Sequence, residues 1–377
     1  MRIAQVAPLA ESVPPKFYGG TERVVAWLTE ELIALGHDVT LFASGDSKTR
    51  ASLVPLIPRA IRLSKPRPDP FPAYAALLDA LANAAQNFDI IHCHTDWLHL
   101  PLLTVLNIPH LTTFHNRLDT PDLPAVIARF PDAPLVSISD HHRKPLPSAN
   151  WLGTVYHGMP ARTFTPSYEP GSYLAFVGRF TKEKGPETAI ALARQSGMPL
   201  RMAAKIPRSE TRYYKDKLEP LIDGDRIRLV GELNDADKGC LLRNAAALLF
   251  PIDWPEPFGL VMIEALACGT PVIAFRRGAV PEVIDDRVTG FVVNDYVEAL
   301  AAIRRLNELD RRRIRSIFDE RFTSRRMARD YLGHYEKLLR DETRRTLKSV
   351  RRLRRSAASS RNVGGLQHRG GGDKRGG

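Results

Sequence analysis

Short runs of aliphatic and β-branched residues alternate along this chain with longer stretches whose apolar positions recur every three or four residues. The first run covers residues 3–7. A long loop ending in Gly19-Gly20 follows, and the spacing of Val24, Val25, Leu28, Leu32 and Leu35 then predicts a helix over 21–35, stopped by Gly36. The helical pattern places Glu22 and Glu30 toward solvent. Further strands are predicted at 39–43, 90–93, 110–114 and 135–138, and 55–72 is proline-rich and reads as an irregular surface excursion. A second series begins at 173–177 and continues through 202–205, 228–230, 247–250 and 272–274. Strands alternating with helices predict an α/β fold, with parallel sheets covered by helices. Between the series, 161–171 carries two prolines and a glycine and suits a linker.

Length supports the same division. At 377 residues the chain exceeds one ordinary core. The expected units are 1–160 and 161–325, with terminal helices to about residue 340 that present Tyr331, Tyr335, Leu338 and Leu339 for packing. No apolar run reaches the roughly 18 residues a membrane span needs. The start lacks the long apolar region of a secretory leader. Cys93, Cys240 and Cys268 are odd in number and widely spaced, which predicts reduced thiols and a cytoplasmic location. Of the net charge of +12, +8 belongs to 341–377, where eleven Lys or Arg face three acidic residues. The body is therefore only mildly basic, and no nucleic-acid partner is expected of it. The tail is expected to lack fixed structure. Leu347, Val350 and Leu353 among its arginines offer a second reading, weak peripheral binding to an anionic membrane face.

Candidate chemistry is densest in the second series. Gly178-Arg179 follows directly on a strand, and Lys184-Gly185 opens the next helix, where α/β sheets bind ligands. The two cations suit a diphosphate; they also suit a solvated turn. In Pro255-Glu256-Pro257-Phe258-Gly259-Leu260, the amides of Gly259 and Leu260 sit where loop becomes helix and can meet an anion. Glu256 and Glu264 are hydroxyl acceptors, although their spacing alone proves nothing. In the first series Gly19-Gly20 permits close backbone approach or simply a turn. His115 ends a strand. His92, Cys93, His94, Asp96 and His99 raise a metal site, but strand alternation puts His92 and His94 on one face and Cys93 on the other. No metal is expected. His141-His142 reads as surface.

Together, Tyr18-Gly19-Gly20, Phe176-Val177-Gly178-Arg179 with Lys184-Gly185, and Glu256-Pro257-Phe258-Gly259 through Glu264-Ala265 to Gly269-Thr270-Pro271-Val272 resemble glycosyltransferase family 4, the retaining group that includes glycogen synthases and phosphatidylinositol mannosyltransferases. The resemblance spans about residues 1–340. It implies the GT-B architecture: two Rossmann-like domains facing each other across a cleft, the first for acceptor and the second for nucleotide sugar, with 326–340 crossing back to the first. It implies a metal-independent hexosyltransferase that needs no cofactor beyond its substrate, a UDP- or GDP-linked sugar. By the same resemblance Gly20, Arg179, Lys184, Glu256, Phe258, Gly259, Leu260 and Glu264 hold the donor, and His115 and Glu256 are catalytic. Tyr18, Gly19, His94 and Asp96 meet an acceptor that is a saccharide, a lipid or a pterin-like small molecule. Metal-dependent transferases use Asp-x-Asp; here Asp223-Gly224-Asp225 precedes a strand and reads as a turn. Two rivals stand beside this reading: a nucleotide-sugar epimerase or phosphorylase on the same fold, and a nucleic-acid or anionic-membrane binding protein acting through the arginine-rich tail.

Overall fold

The structure is a computed structural model. It describes residues 1–16 and 19–364, with side chains to residue 344. Two sheets, each parallel throughout, organise it. The first contains β1 (Arg2–Val6), β2 (Asp38–Ala43), β3 (Ser52–Pro55), β4 (Ile90–Cys93), β5 (His110–Thr113), β6 (Leu135–Ser137) and β7 (Trp151–Thr154), in the order β3-β2-β1-β4-β5-β6-β7. The second contains β8 (Tyr173–Arg179), β9 (Leu200–Lys205), β10 (Ile227–Gly231), β11 (Ala245–Phe250), β12 (Val272–Phe275) and β13 (Gly290–Val293), in the order β10-β9-β8-β11-β12-β13. Each order reverses once, between β1 and β4 and between β8 and β11. The central strands are apolar on both faces because helices cover both faces: Ile3, Ala4, Val6, Leu174, Ala175 and Phe176 are all buried.

Three strands carry too little pattern to be predicted. β3 is a four-residue edge strand ending in proline, β7 contains Gly153, and β13 closes the far edge. The excursion 55–72 is partly regular. It holds a short turn of helix at Ile61–Leu63 and the start of the helix Pro70–Ala84, whose N-terminus Asp69 caps by accepting from the Phe71 amide at 3.0 Å. Glu22 does not face solvent. It lies on the first turn of the helix Gly20–Ala34 and is buried, and burial raises its carboxyl above the usual range.

The chain crosses between the units twice, at one place. Met159 and Thr323 form a parallel bridge: the Met159 amide donates to the Phe322 carbonyl at 2.9 Å, and the Ser324 amide to the Met159 carbonyl at 2.9 Å. Arg326 fastens the return by donating to the carbonyls of Tyr156 and His157 at 2.7 and 3.0 Å. The terminal helix Ser324–Gly364 then packs on the first unit. There Met327, Ala328, Tyr331 and Tyr335 share a core with Ile3, Val24, Leu28 and Ile90. Helix continues to Gly364, past the point where a structureless tail was expected to begin, because this stretch is rich in arginine, a good helix former, and has no proline. Residues 365–377, and the side chains of Leu347, Val350 and Leu353, lie outside the described residues. No described helix is long and apolar enough to cross a membrane.

Gly158 makes the double crossing possible, since a Cβ there would lie 2.2 Å from the Thr323 carbonyl oxygen. Gly158→Ala is expected to destabilise the protein by about 3 kcal/mol, near the top of the ordinary range for one substitution. Equilibrium urea unfolding of the variant against the parent measures this; equal midpoints would refute it.

Candidate active site at the two strand-order reversals

Where strand order reverses, the loops after neighbouring strands part and leave a crevice. In the second unit these loops follow β8 and β11, and backbone contacts zip them together. The Asp253 amide donates to the Glu183 carbonyl at 2.8 Å. Gly185, at φ +69°, lies so close to β11 that a Cβ would sit 2.1 Å from the Pro251 carbonyl oxygen. This closeness brings Lys184 onto Glu256. Their charged groups are hydrogen-bonded and their side chains are largely buried. The Trp254 indole donates to the same Glu256 oxygen at 3.0 Å, and the Lys184 ammonium lies 4.6 Å from the Trp254 ring centroid. Arg179, at the end of β8, is 4.0 Å from the Glu183 carboxylate.

A third loop, after β12, clamps Glu256 from behind. The Ala279 amide donates to the Glu256 carbonyl at 2.9 Å, and Gly278, at φ +56°, leaves only 2.2 Å between a would-be Cβ and that oxygen. Gly278 was not singled out from the sequence; its signal is a glycine just beyond a buried strand end. Gly259 has φ +84° and begins the helix Leu260–Ala267, whose N-terminus no side chain caps, so the leading amides remain for an anion. Glu264 is buried within that helix and accepts from Lys238 at 2.5 Å. Lys238 also lies 3.4 Å from Asp235, which pairs with Arg23 of the first unit at 2.5 Å. Asp235-Ala236-Asp237 is thus an Asp-x-Asp sequence beside the cleft, unlike Asp223-Gly224-Asp225. Its first carboxylate is neutralised by Arg23 and Lys238, and its second accepts from Asn234 at 2.8 Å. Asp223 caps its own turn, accepting from the Asp225 and Ile227 amides at 2.8 and 2.9 Å. Phe258 is buried, its ring 4.9 Å from His157 and 6.3 Å from Phe322. Its side chain is packing at the crossing, not a surface offered to a ligand.

In the first unit the loops after β1, β4 and β5 converge. Gly20 faces the second unit: a Cβ there would meet Leu260 at 3.6 Å. Gly19 sits where a Cβ would be 2.8 Å from Pro15, and Tyr18 lies outside the described residues. His92 and His94 share a face, with ring centroids 4.0 Å apart, and Cys93 joins the apolar cluster on the other side. His94 is buried with both ring nitrogens engaged, Nδ1 with His115 Nε2 at 2.8 Å and Nε2 with Gln5 Oε1 at 2.9 Å. It therefore supports His115 and has no nitrogen left for an acceptor. Asp96, at φ +50°, accepts from Asn116 at 3.0 Å, and burial raises its carboxyl. His115 stacks on His157 at 5.2 Å, and its Nδ1 has no hydrogen-bond partner. His142 is buried rather than superficial, and its Nε2 donates to the Asn116 carbonyl at 2.7 Å. His99 bonds Thr95 and Thr112. Among the described residues no three His, Cys, Asp or Glu are grouped as metal ligands.

The halves meet through bonds that sequence spacing does not reveal. Ser139 donates to the Pro257 carbonyl at 2.7 Å. Glu282 accepts from the Asp140 and His141 amides at 2.6 and 2.7 Å and from the Tyr156 hydroxyl at 3.1 Å. A cavity of about 370 Å³ opens beside them, lined by His141, Lys144, Arg276 and Glu282.

Two family models match the chain: "Glycosyl transferases group 1" over 161–320 and "Glycosyltransferase Family 4" over 18–174. A phosphatidyl-myo-inositol mannosyltransferase of Propionibacterium freudenreichii subsp. shermanii is 26% identical over 318 residues, covering 76% of this chain and 80% of its own. Sucrose-phosphate synthase from Thermosynechococcus elongatus superposes with a TM-score of 0.72 at 21% identity, over 90% of this chain and 99% of that one. Anabaena HepE in complex with UDP-glucose superposes with a TM-score of 0.69 at 15% identity, over 89% of this chain and all of the other. The two-sheet architecture is that of the GT-B fold.

Two outcomes follow from this geometry. Burial lowers the imidazoles of His92, His94, His99, His115, His142 and His157, His99 and His115 to about 3 and His142 to about 4. The native protein holds these rings neutral while the unfolded chain protonates them below about pH 6.5. Their stabilisation is complete above that pH and is lost as pH falls toward the depressed values, by at most about 1.4 kcal/mol per pH unit per ring. Glu11, Glu22 and Asp96, raised by burial, oppose the loss only nearer the carboxylate range. Urea unfolding free energies should therefore drop between pH 7 and 5.5; a flat profile would contradict the burial. Gly278→Ala should displace Glu256 and lower turnover on the order of a hundredfold while the fold persists by circular dichroism.

Proposed function

The chain belongs to glycosyltransferase family 4 and is a glycosyltransferase, and on that premise we propose that it transfers a hexose from a UDP- or GDP-linked donor to an acceptor with retention and without a metal ion. The observation that carries the reading is the convergence of Arg179, Lys184 and the leading amides of Leu260–Ala267 at one strand-order reversal. Breaking the glycosyl–phosphate bond develops negative charge on the departing diphosphate. Fixed cations and amides placed there in advance stabilise that charge with little reorganisation, at about 3 kcal/mol per well-placed donor. The neighbour solved with UDP-glucose supports a nucleotide-sugar donor.

In this reading Glu264 takes the ribose hydroxyls and Glu256 the transferred sugar, each exchanging part of its bonding to Lys238 or Lys184 for the ligand. His115 faces the same sugar from the first unit. The acceptor oxygen bonds to the anomeric carbon on the face from which the phosphate leaves, and the acceptor's proton passes to a leaving phosphate oxygen. No enzyme nucleophile is needed. The charge of Asp235 is already met by Arg23 and Lys238, which favours a role in holding the halves together over one in metal binding.

A thermal-shift screen of nucleotide sugars identifies the donor. With the best one, Lys184→Ala should lower turnover by about 10²–10³-fold, and Glu264→Ala should weaken donor binding about tenfold with less effect on turnover. EDTA should leave the rate unchanged, and NMR of the product should show the donor's anomeric configuration. A chelator-sensitive rate or an inverted linkage would defeat the corresponding part of the proposal, and isomerised or phosphorolysed donor without transfer would favour the rival enzymes.

A further inference from the structure

The hydrogen bonds behind His115 run in one direction, and they include the far end of the chain. Gln5, in the middle of β1, is fully buried. Its Oε1 can only accept, so the His94 Nε2 facing it at 2.9 Å carries a proton. A neutral imidazole has one N–H, so His94 Nδ1 accepts, and its partner at 2.8 Å, His115 Nε2, must donate. His115 is thereby left with a bare lone pair on Nδ1, an atom that is buried in this structure and without a hydrogen-bond partner.

On the other side of Gln5, its amide nitrogen donates to the Tyr335 hydroxyl at 3.2 Å. That hydroxyl lies 2.6 Å from His92 Nδ1, which the Gln5 amide nitrogen, able only to donate, also faces at 3.5 Å; Nδ1 is therefore the acceptor and the hydroxyl donates to it. His92 Nε2 then donates to Thr113 Oγ1 at 2.8 Å, and Thr113 donates to the Tyr331 hydroxyl at 3.1 Å. The series thus runs from Gln5 through Tyr335, His92 and Thr113 to the Tyr331 hydroxyl. The two tyrosines belong to the terminal helix, more than 200 residues from the His92 and Thr113 they bond. Without that helix Gln5 and His92 would lose the hydroxyl that orients both.

We propose that Gln5 and Tyr335 are positioning residues that fix His115 as the Nε2–H tautomer, with Nδ1 as acceptor toward a hydroxyl of the transferred sugar, so that the first unit's half of the site is complete only once the terminal helix has docked. The sugar contact rests on the functional reading above; the tautomer does not. A lone pair accepts from a sugar hydroxyl, whereas an N–H at the same place would have to donate, so the wrong tautomer costs the contact without moving an atom of the backbone.

The tautomer is read directly on the full chain labelled with 15N-histidine, from two-bond 1H–15N correlations, with the His115 signals assigned through His115→Asn. The parent should show His115 protonated on Nε2. In Gln5→Glu the carboxylate favours a doubly protonated His94, whose Nδ1–H then donates to His115, so the His115 proton should move to Nδ1. Turnover should fall on the order of tenfold to a hundredfold, as for partners that orient a metal-bound histidine, and donor Kd should rise by no more than about tenfold, the worth of the one sugar hydrogen bond. Tyr335→Phe, which removes only the hydroxyl, should move both in the same direction by less. Parent His115 protonated on Nδ1 overturns the proposal, as does a Gln5→Glu protein with the parent's tautomer and turnover. The parent measurement needs neither substrate nor a stable variant, so a protein that transfers no sugar would sink the functional reading and leave the tautomer assignment intact.

Discussion

A parallel sheet whose strand order reverses cannot close its loops over the reversal, and this molecule is arranged around two such openings. At β8/β11 the opening is narrowed by backbone contact, Glu183 to Asp253 and Gly185 to Pro251, until Lys184 touches Glu256. At β1/β4 it is filled by imidazoles. The crossing at Met159 and Thr323 sets the second opening against the first. The cleft therefore follows from topology before it follows from any side chain.

The acidic residues assigned to the donor are each held by a lysine, Glu256 by Lys184 and Glu264 by Lys238. Removing such charges from water is costly, and the pairing offsets that cost without making the pairs strongly stabilising. They are better understood as a means of aiming the two carboxylates inside a partly dry cleft. The Arg23–Asp235 pair extends the same chain of charge into the first unit. Glu264 is thus linked electrostatically to the opposite wall.

Much of this was legible in the chain. The central strands announce themselves as apolar runs because both faces are buried. Arg179, Lys184, Glu256, Gly259 and Glu264 sit in contiguous motifs whose residue types suit a diphosphate and hydroxyls. The strands β3, β7 and β13 escaped notice because a short edge strand interrupted by proline or glycine has little period to read. The burial of His94 and Phe258 was illegible for a different reason. Histidine and phenylalanine are equally at home in a site or a core, and the neighbours that decide between these, Gln5 and Phe322, are 89 and 64 positions away.

By itself, then, the sequence determined the α/β class, the two series of strands, the turn glycines and the stretch whose residue types suit a diphosphate and hydroxyls. These depend on local periodicity and on residue types grouped within a few positions. Only the tertiary structure decided that Gly278 and Glu282 brace the cleft, that Glu22 and His142 are buried, and that tyrosines of the last helix complete a hydrogen-bonded chain begun on the first strand. Burial and hydrogen-bond partnership are properties of what lies nearby in space, and folding brings those neighbours from anywhere along the chain.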